Sequence, residues 1–149
     1  MKPEEIKPDT ELCTIIGYNA QTGKSRKYFN AILKHFKVNA TAIALNIKDD
    51  HFDFMMKSLA NSPVKKMMIE DDFQTNILKY IEPNEFEYID FIEVKEGKII
   101  GYNLDKEVEN LVEDVKFLDE PTKLAIKMLI IANRWYGTKI DMDIVPVIL

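Results

Sequence analysis

The hydrophobic and polar positions of this chain follow two periods, and each change of period marks an element. From Leu12 to Tyr18 the residues are largely apolar and β-prone, with Gly17 near the end, the pattern of a buried strand entering a loop. Between Ser25 and Phe36 the period lengthens. Tyr28, Phe29, Ile32, Leu33 and Phe36 repeat at helical spacing, and Ser25 stands where an N-cap would accept orphan backbone amides. A second strand is predicted at Thr41 to Ile47, then a helix placing Phe52, Met55, Met56 and Leu59 on one face. A third strand follows at Val64 to Ile69, and then a helix over about Asp72 to Tyr80, stopped before Pro83.

From Phe86 to Asn103 the pattern is two strands around Glu96-Gly97, where glycine can take the positive φ of a tight hairpin. After Asp105 the chain turns helical. Val108, Leu111, Val112 and Val115 form one stripe expected to dock on the sheet, and Leu124 to Trp135 is apolar nearly all round. Gly137 is the expected stop of that helix, and Asp143 the expected cap of a last short one that tolerates Pro146 in its first turn. Three strand–helix alternations before a hairpin call for crossover connections between parallel neighbours. The expected fold is α/β, a mainly parallel sheet with one antiparallel hairpin and helices on both faces, in a single domain spanning 1–149.

Composition narrows the functional classes. Apolar residues make up 46% and charged residues 30% of the 149, so one core is within reach and extensive disorder is not expected. With 20 basic against 25 acidic residues the formal charge is −5, which argues against general attraction to nucleic acid or anionic lipid. Lys65-Lys66 and Lys24-Arg26-Lys27 are short basic clusters and fall short of a nucleic-acid face. Cys13 is the only cysteine, so a disulfide framework is excluded and a reducing cytoplasm is the expected home. The acidic, proline-broken start at Met1-Lys2-Pro3-Glu4-Glu5 is unlike a signal peptide, and no apolar run approaches the ~20 residues of a membrane span.

Three segments carry a resemblance to a known family. Gly17-Tyr18-Asn19-Ala20-Gln21-Thr22-Gly23-Lys24-Ser25, running into Tyr28-Phe29-Asn30-Ala31, resembles the first strand, loop and helix of the shikimate dehydrogenases. Glu96-Gly97-Lys98-Ile99-Ile100-Gly101-Tyr102-Asn103-Leu104-Asp105 is similar to that family's Asp-Gly-x-x-x-Gly-x-Asn-Thr-Asp hairpin, and is the most specific of the three. Met128-Leu129 through Trp135-Tyr136-Gly137 looks like the helix that returns from the nucleotide-binding domain and carries a Trp-Thr-Gly triplet. The resemblance implies the substrate-binding domain plus the returning helices. The Rossmann domain that the family threads between hairpin and returning helix has only about a helix's length here, and no Gly-x-Gly-x-x-Gly fingerprint is present.

The family's residues carry over unevenly. Of the Ser-x-Ser pair that holds the shikimate carboxylate, the first serine becomes Gly23 and the second remains as Ser25. The catalytic aspartate falls on Asp105, while the lysine that works with it falls on Asp72 and its threonine neighbour on Met68. The asparagine of the Ala-Val-Asn-Thr run falls on Asp90, and the glutamine of the returning helix on Lys127. The resemblance therefore implies a substrate site at Ser25, Asp72, Asp90, Asp105 and Lys127, with Asp105 as its catalytic candidate. Convergence of Asp72, Asp90 and Asp105 would disfavour an anionic acid and favour a cation, an amine or a metal.

Plainer readings stand beside these. Ser25 reads as an N-cap, Asp105 as a cap of the helix after the hairpin, and Glu70-Asp71-Asp72 as a solvated acidic turn. His35 and His51 have no partners at zinc-ligand spacing, Cys13 reads as a packed small hydrophobe, and Met55, Met56, Met67 and Met68 as core filling. The functional expectation is a non-catalytic relative binding a small polar molecule or a partner, with no cofactor and no metal. The alternatives are an enzyme that uses a separate cofactor-bearing subunit or a metal, and an assembly protein, for instance a homodimer.

Overall fold

The computed structural model describes residues 7–81 and 85–149, so the acidic start at Met1–Glu5 and the stop at Pro83 lie outside the described residues. In chain order the elements are β1 (Glu11–Gly17), α1 (Lys24–His35), β2 (Ala40–Asn46), α2 (Asp49–Ser58), β3 (Lys66–Ile69), β4 (Phe91–Lys95), β5 (Lys98–Tyr102), α3 (Leu104–Leu111), α4 (Glu120–Tyr136) and α5 (Val145–Ile148). The strands form one sheet in the order β2-β1-β3-β4-β5.

Strand β1 is buried without alternation over its last five residues, as a central strand must be. It pairs in parallel with β3, Thr14 opposite Met67 and Ile16 opposite Ile69. Strand β4 runs antiparallel to β3, with Met67 opposite Ile92, and β5 runs antiparallel to β4, with Val94 opposite Ile99. Reversal between β4 and β5 needs two residues at positive φ, and Glu96 (51°) and Gly97 (76°) supply them. The chain is α/β, with the mostly parallel sheet and antiparallel hairpin that the alternation of periods predicts.

The chain divides into two compact units, one formed by Gly23–Ala42 and Leu104–Leu149 with the residues up to Glu11, the other by Leu12–Thr22 and Ile43–Asn103. In the second, Ile16, Met67, Ile69, Ile92 and Val94 of the strands pack with Phe52, Met56 and Leu59 and with Phe73 and Ile77. Phe52 and Phe73 stack with ring centroids 4.5 Å apart. Each such side chain taken out of water contributes about 1.5–3 kcal/mol. The predicted face of α2 is thus the buried one.

In the first unit α4 supplies the densest apolar surface, Ala125, Ile126 and Met128 to Ala132 being buried. Asp119 caps this helix by accepting the Thr122 amide at 2.9 Å, and Gly137 ends it at φ 72° as expected. Asn133 Nδ2 then donates to the Thr138 carbonyl at 2.7 Å, tying down the chain after the turn. Tyr28, Phe29, Ile32 and Leu33 of α1 are buried, and the Phe29 ring lies 6.3 Å from that of Tyr136.

Four local expectations are corrected. Over 71–80 the chain forms two 3-10 turns, Asp71–Phe73 and Asn76–Tyr80, instead of one helix. Thr75-Asn76 disfavours the helix at its middle, and the Gln74 carbonyl is taken by the Ile89 amide at 3.0 Å. The stripe after the hairpin is shorter than predicted, because α3 stops at Leu111 and Asp114 turns left-handed at φ 56°, leaving Leu111 exposed. Asp141, and not Asp143, caps the turn before α5, its carboxylate accepting the Asp143 amide at 3.0 Å. Ser25 is not the N-cap of α1, as that helix begins at Lys24 with Gly23 in the capping position. Among the described residues no helix is long and apolar enough to cross a membrane.

Candidate functional site

Because β1 and β3 are parallel neighbours, their C-terminal ends meet at one edge of the second unit, where α/β folds place their ligands. Gly17 permits the approach: a Cβ there would stand 2.8 Å from Glu70 Cβ and 3.2 Å from Asp72 Oδ2. The Glu70 amide donates to the Ile16 carbonyl at 2.9 Å, which turns the chain so that Asp72 faces the loop after β1. Asp72 Oδ2 accepts the Tyr18 amide at 2.8 Å. Asp71 and Asp72 are exposed, as in a solvated turn, while Glu70 is half-buried, and Asp72 also holds a loop across 54 residues of sequence.

Tyr18 lies edge-on to Phe73, with centroids 5.1 Å apart, and its hydroxyl donates to Asp49 in the first turn of α2. That bond, with some burial, holds the phenol above its ordinary range. Tyr18, Ile47, Lys48 and Asp49 line an open pocket of about 370 Å³. Neither Tyr18 nor Asp49 stands out in the sequence. The available signal is position, since Tyr18 ends the first predicted strand and Asp49 follows the second. Asp90 is only 1% exposed, and its backbone is locked between the Ile69 amide at 2.9 Å and the Tyr102 carbonyl at 3.1 Å.

In the first unit the N-terminus of α1 is unusual in what it lacks. Gly23 offers no side-chain cap, and the first turn contains no acidic residue. Instead it carries Lys24, Arg26 and Lys27, none of which forms an ion pair among the described residues. Like charges at the positive pole of a helix are unfavourable unless an anion is there to meet them. Ser25, only 6% exposed, sits in this turn, and its hydroxyl makes no hydrogen bond among the described residues. The hydroxyl oxygen is not sealed from solvent, so water can satisfy it.

Asp105 lies in the first turn of α3 and does not cap it, since that helix already begins at Leu104. Its Oδ1 is 3.0 Å from Lys127 Nζ on α4. The structure therefore brings Asp105 and Lys127 together and places Ser25 in the same unit, while Asp72 and Asp90 belong to the other unit. A paired carboxylate and ammonium of this kind can hold or pass a proton at a substrate hydroxyl.

Asn30 is a further residue that periodicity does not single out. Its Oδ1 accepts the Ala42 amide at 2.8 Å and its Nδ2 donates to the Ala42 carbonyl at 3.2 Å, so one side-chain amide mimics a neighbouring strand. Among the described residues no group of three or more His, Cys, Asp or Glu is placed to hold a metal. Cys13 is buried, and His35 and His51 are exposed.

No protein family model matches the chain. The shikimate dehydrogenase (NADP(+)) of Methanococcus maripaludis is 22% identical over an alignment of 105 residues that covers 67% of this chain and 38% of that protein. The crystal structure of shikimate dehydrogenase from Aquifex aeolicus superposes with a TM-score of 0.63 at 19% identity, covering 84% of this chain and 53% of that one. The fold is that of shikimate dehydrogenase. A 5-ketofructose reductase of Gluconobacter shares it at a TM-score of 0.61 and 14% identity, over 77% of this chain and 43% of its own. The chain spans about half the length of these shikimate-dehydrogenase-like structures or less. Within the shikimate dehydrogenase fold, the segment from Asp105 to Met128 is α3, the turn at Val115–Phe117 and the first half of α4.

Proposed function

We propose that this chain is a binding protein on the shikimate dehydrogenase fold, one that holds a small anionic molecule at the N-terminus of α1 and transfers no hydride with its own residues. The observation that carries this reading is the start of α1, which has no side-chain cap and no acidic residue in its first turn and carries Ser25 among three cations that lack counter-ions. This revises the expectation that three aspartates would select a cation, because Asp72 is engaged by a backbone amide and Asp105 is neutralised by Lys127. The fold does not choose the substrate, as the likeness to a 5-ketofructose reductase illustrates.

The lack of hydride transfer is supported from within the sequence. Hydride chemistry belongs to a nicotinamide cofactor, and no Gly-x-Gly-x-x-Gly run is present to cradle its pyrophosphate. Where the resemblance places the family's lysine, Asp72 offers an acceptor and no proton to share with an alkoxide. The single buried thiol suits a reducing compartment such as the cytoplasm. Exposed Leu111 and Phe117 support the homodimer reading.

The Asp105–Lys127 pair favours a second reading, an enzyme that receives its cofactor on a separate subunit. Calorimetry with shikimate, quinate and dehydroshikimate tests the first reading. Binding in the range of about 1 mM or tighter is expected, weakened about tenfold or more by Ser25→Ala through loss of a charge-assisted hydrogen bond. No heat with any of the three at that concentration, or affinities indifferent to Ser25→Ala, would count against it.

A further inference from the structure

Helix α3 and the turn that joins it to α4 concentrate the charge of the molecule. From Asp105 to Glu120 there are seven acidic residues and two basic ones, a formal −5 equal to that of the whole chain. Removing them from the 25 acidic and 20 basic residues leaves 18 of each sign elsewhere. Asp105, Glu107 and Glu120 are paired with Lys127, Arg134 and Lys123, and Asp119 caps α4. Glu109, Glu113 and Asp114 form no ion pair among the described residues.

The same stretch exposes apolar side chains. From Glu109 to Glu120 no residue is buried, although Leu111, Val112, Val115, Phe117 and Leu118 are apolar. Asp114 sets this arrangement: at φ 56° it prevents α3 from continuing, and its carbonyl accepts the Phe117 amide at 2.9 Å to close one 3-10 turn. That backbone is unfavourable for a residue with a Cβ, and it delivers Phe117, 77% exposed, to water. Three carboxylates without counter-ions thus alternate along the chain with an exposed leucine and an exposed phenylalanine.

We infer that this turn docks a basic amphipathic segment of another protein, whose apolar side chains cover Leu111 and Phe117 and whose lysines or arginines meet Glu109, Glu113 and Asp114. The inference is independent of what α1 holds. Leu111 and Phe117 alone would suit a second copy of the chain, but charge decides otherwise, because a second copy brings its own −5 to the same place. Nucleic acid and anionic lipid are repelled for the same reason. The Phe117 ring already suits a cation on one face, with Lys116 Nζ 5.3 Å from its centroid, and a partner's arginine or lysine can take the other. Apolar contact then supplies most of the holding, and the carboxylates set orientation and encounter rate.

The test uses the full chain and a labelled peptide of leucine and lysine spaced as an amphipathic helix. Two control peptides replace lysine by glutamate or leucine by serine. The leucine–lysine peptide is expected to shift the backbone amide signals of residues 109–118 and to bind about tenfold more tightly than either control. Phe117→Ser should weaken it about tenfold, and Glu113→Gln about twofold, a loss that grows as salt is lowered. Phe54→Ser, at an equally exposed phenylalanine of α2, should leave it unchanged. Equal binding of the serine control would reduce the surface to diffuse acidity and overturn the inference, as would equal weakening by Phe54→Ser or shifts confined to other residues. Sedimentation of the chain alone supplies the remaining outcome: a monomer is expected, and a dimer dissolved by Phe117→Ser would give the turn to a second copy and overturn the assignment.

Discussion

Lys127 and Asp105 meet at 3.0 Å as unequal partners, the lysine side chain 12% exposed and the aspartate 42%. Water can solvate Asp105 if its partner goes, but it cannot easily reach Lys127. Asp105→Asn is therefore expected to cost about 1–3 kcal/mol, because it takes the charge of one carboxylate partner away from a mostly buried cation. Lys127→Met keeps the packing of the stem and should cost less than about 1 kcal/mol. Denaturant unfolding of both single variants and the double variant measures the asymmetry. Equal costs would show that the pair is a solvent-screened surface bridge.

Tyr80 donates its hydroxyl to Asp53, and Lys79 Nζ lies 3.2 Å from the same carboxylate. The Tyr80 bond, aided by Lys79, holds the Asp53 carboxyl below its ordinary range, and the bond to Asp53 holds Tyr80 and Lys79 above theirs. Asp53 thus contributes stability above about pH 4, lost as pH falls through its depressed folded value. Tyr80 and Lys79 contribute below about pH 10, and this is lost as pH rises through their raised values. The melting-temperature difference between the wild type and Tyr80→Phe should peak near neutrality and shrink toward both extremes. A difference that does not change with pH would remove the charge from the explanation.

Gly17 is the point at which β1 and the turn after β3 touch. Gly17→Ala places a methyl against Glu70 Cβ, an atom with no freedom to swing away, so a loss of about 1–3 kcal/mol is expected. The Tyr18 amide should become less protected from hydrogen exchange, since Asp72 is displaced with the turn. A stability change within about 0.5 kcal/mol would show that the strand ends yield.

Asn30 closes part of the outer edge of β2, the terminal strand of the sheet. Asn30→Ala leaves the Ala42 amide and carbonyl without this partner, at a cost of about 1–2 kcal/mol. Because β2 carries no charged residue to discourage pairing, light scattering should also show greater self-association. An unchanged monomer fraction together with wild-type stability would mean that water replaces the side chain without loss.

The elements that the sequence makes legible are those with a strong period or a strict backbone need. Strand β1, the faces of α1 and α2, the I′-type turn at Glu96-Gly97 and the stop at Gly137 all follow from residues whose preference and tertiary setting agree. The region 71–80 is not legible because Phe73 and Ile77 are spaced as a helix would space them, while Gln74 spends its backbone on Ile89. The resemblance pointed to Ser25, Asp105 and Lys127, and the structure shows what spacing cannot: an unpartnered hydroxyl, and a lysine from α4 on the aspartate. Tyr18, Asp49 and Asn30 became visible only through partners far away in the chain.

The central claim is binding without hydride transfer, and turnover tests it most directly. The 149-residue chain is mixed with shikimate and NADP+ and formation of the reduced cofactor is followed by absorbance. The account predicts no rate above that of the buffer alone. A rate that rises with protein concentration and collapses with Asp105→Asn would contradict it.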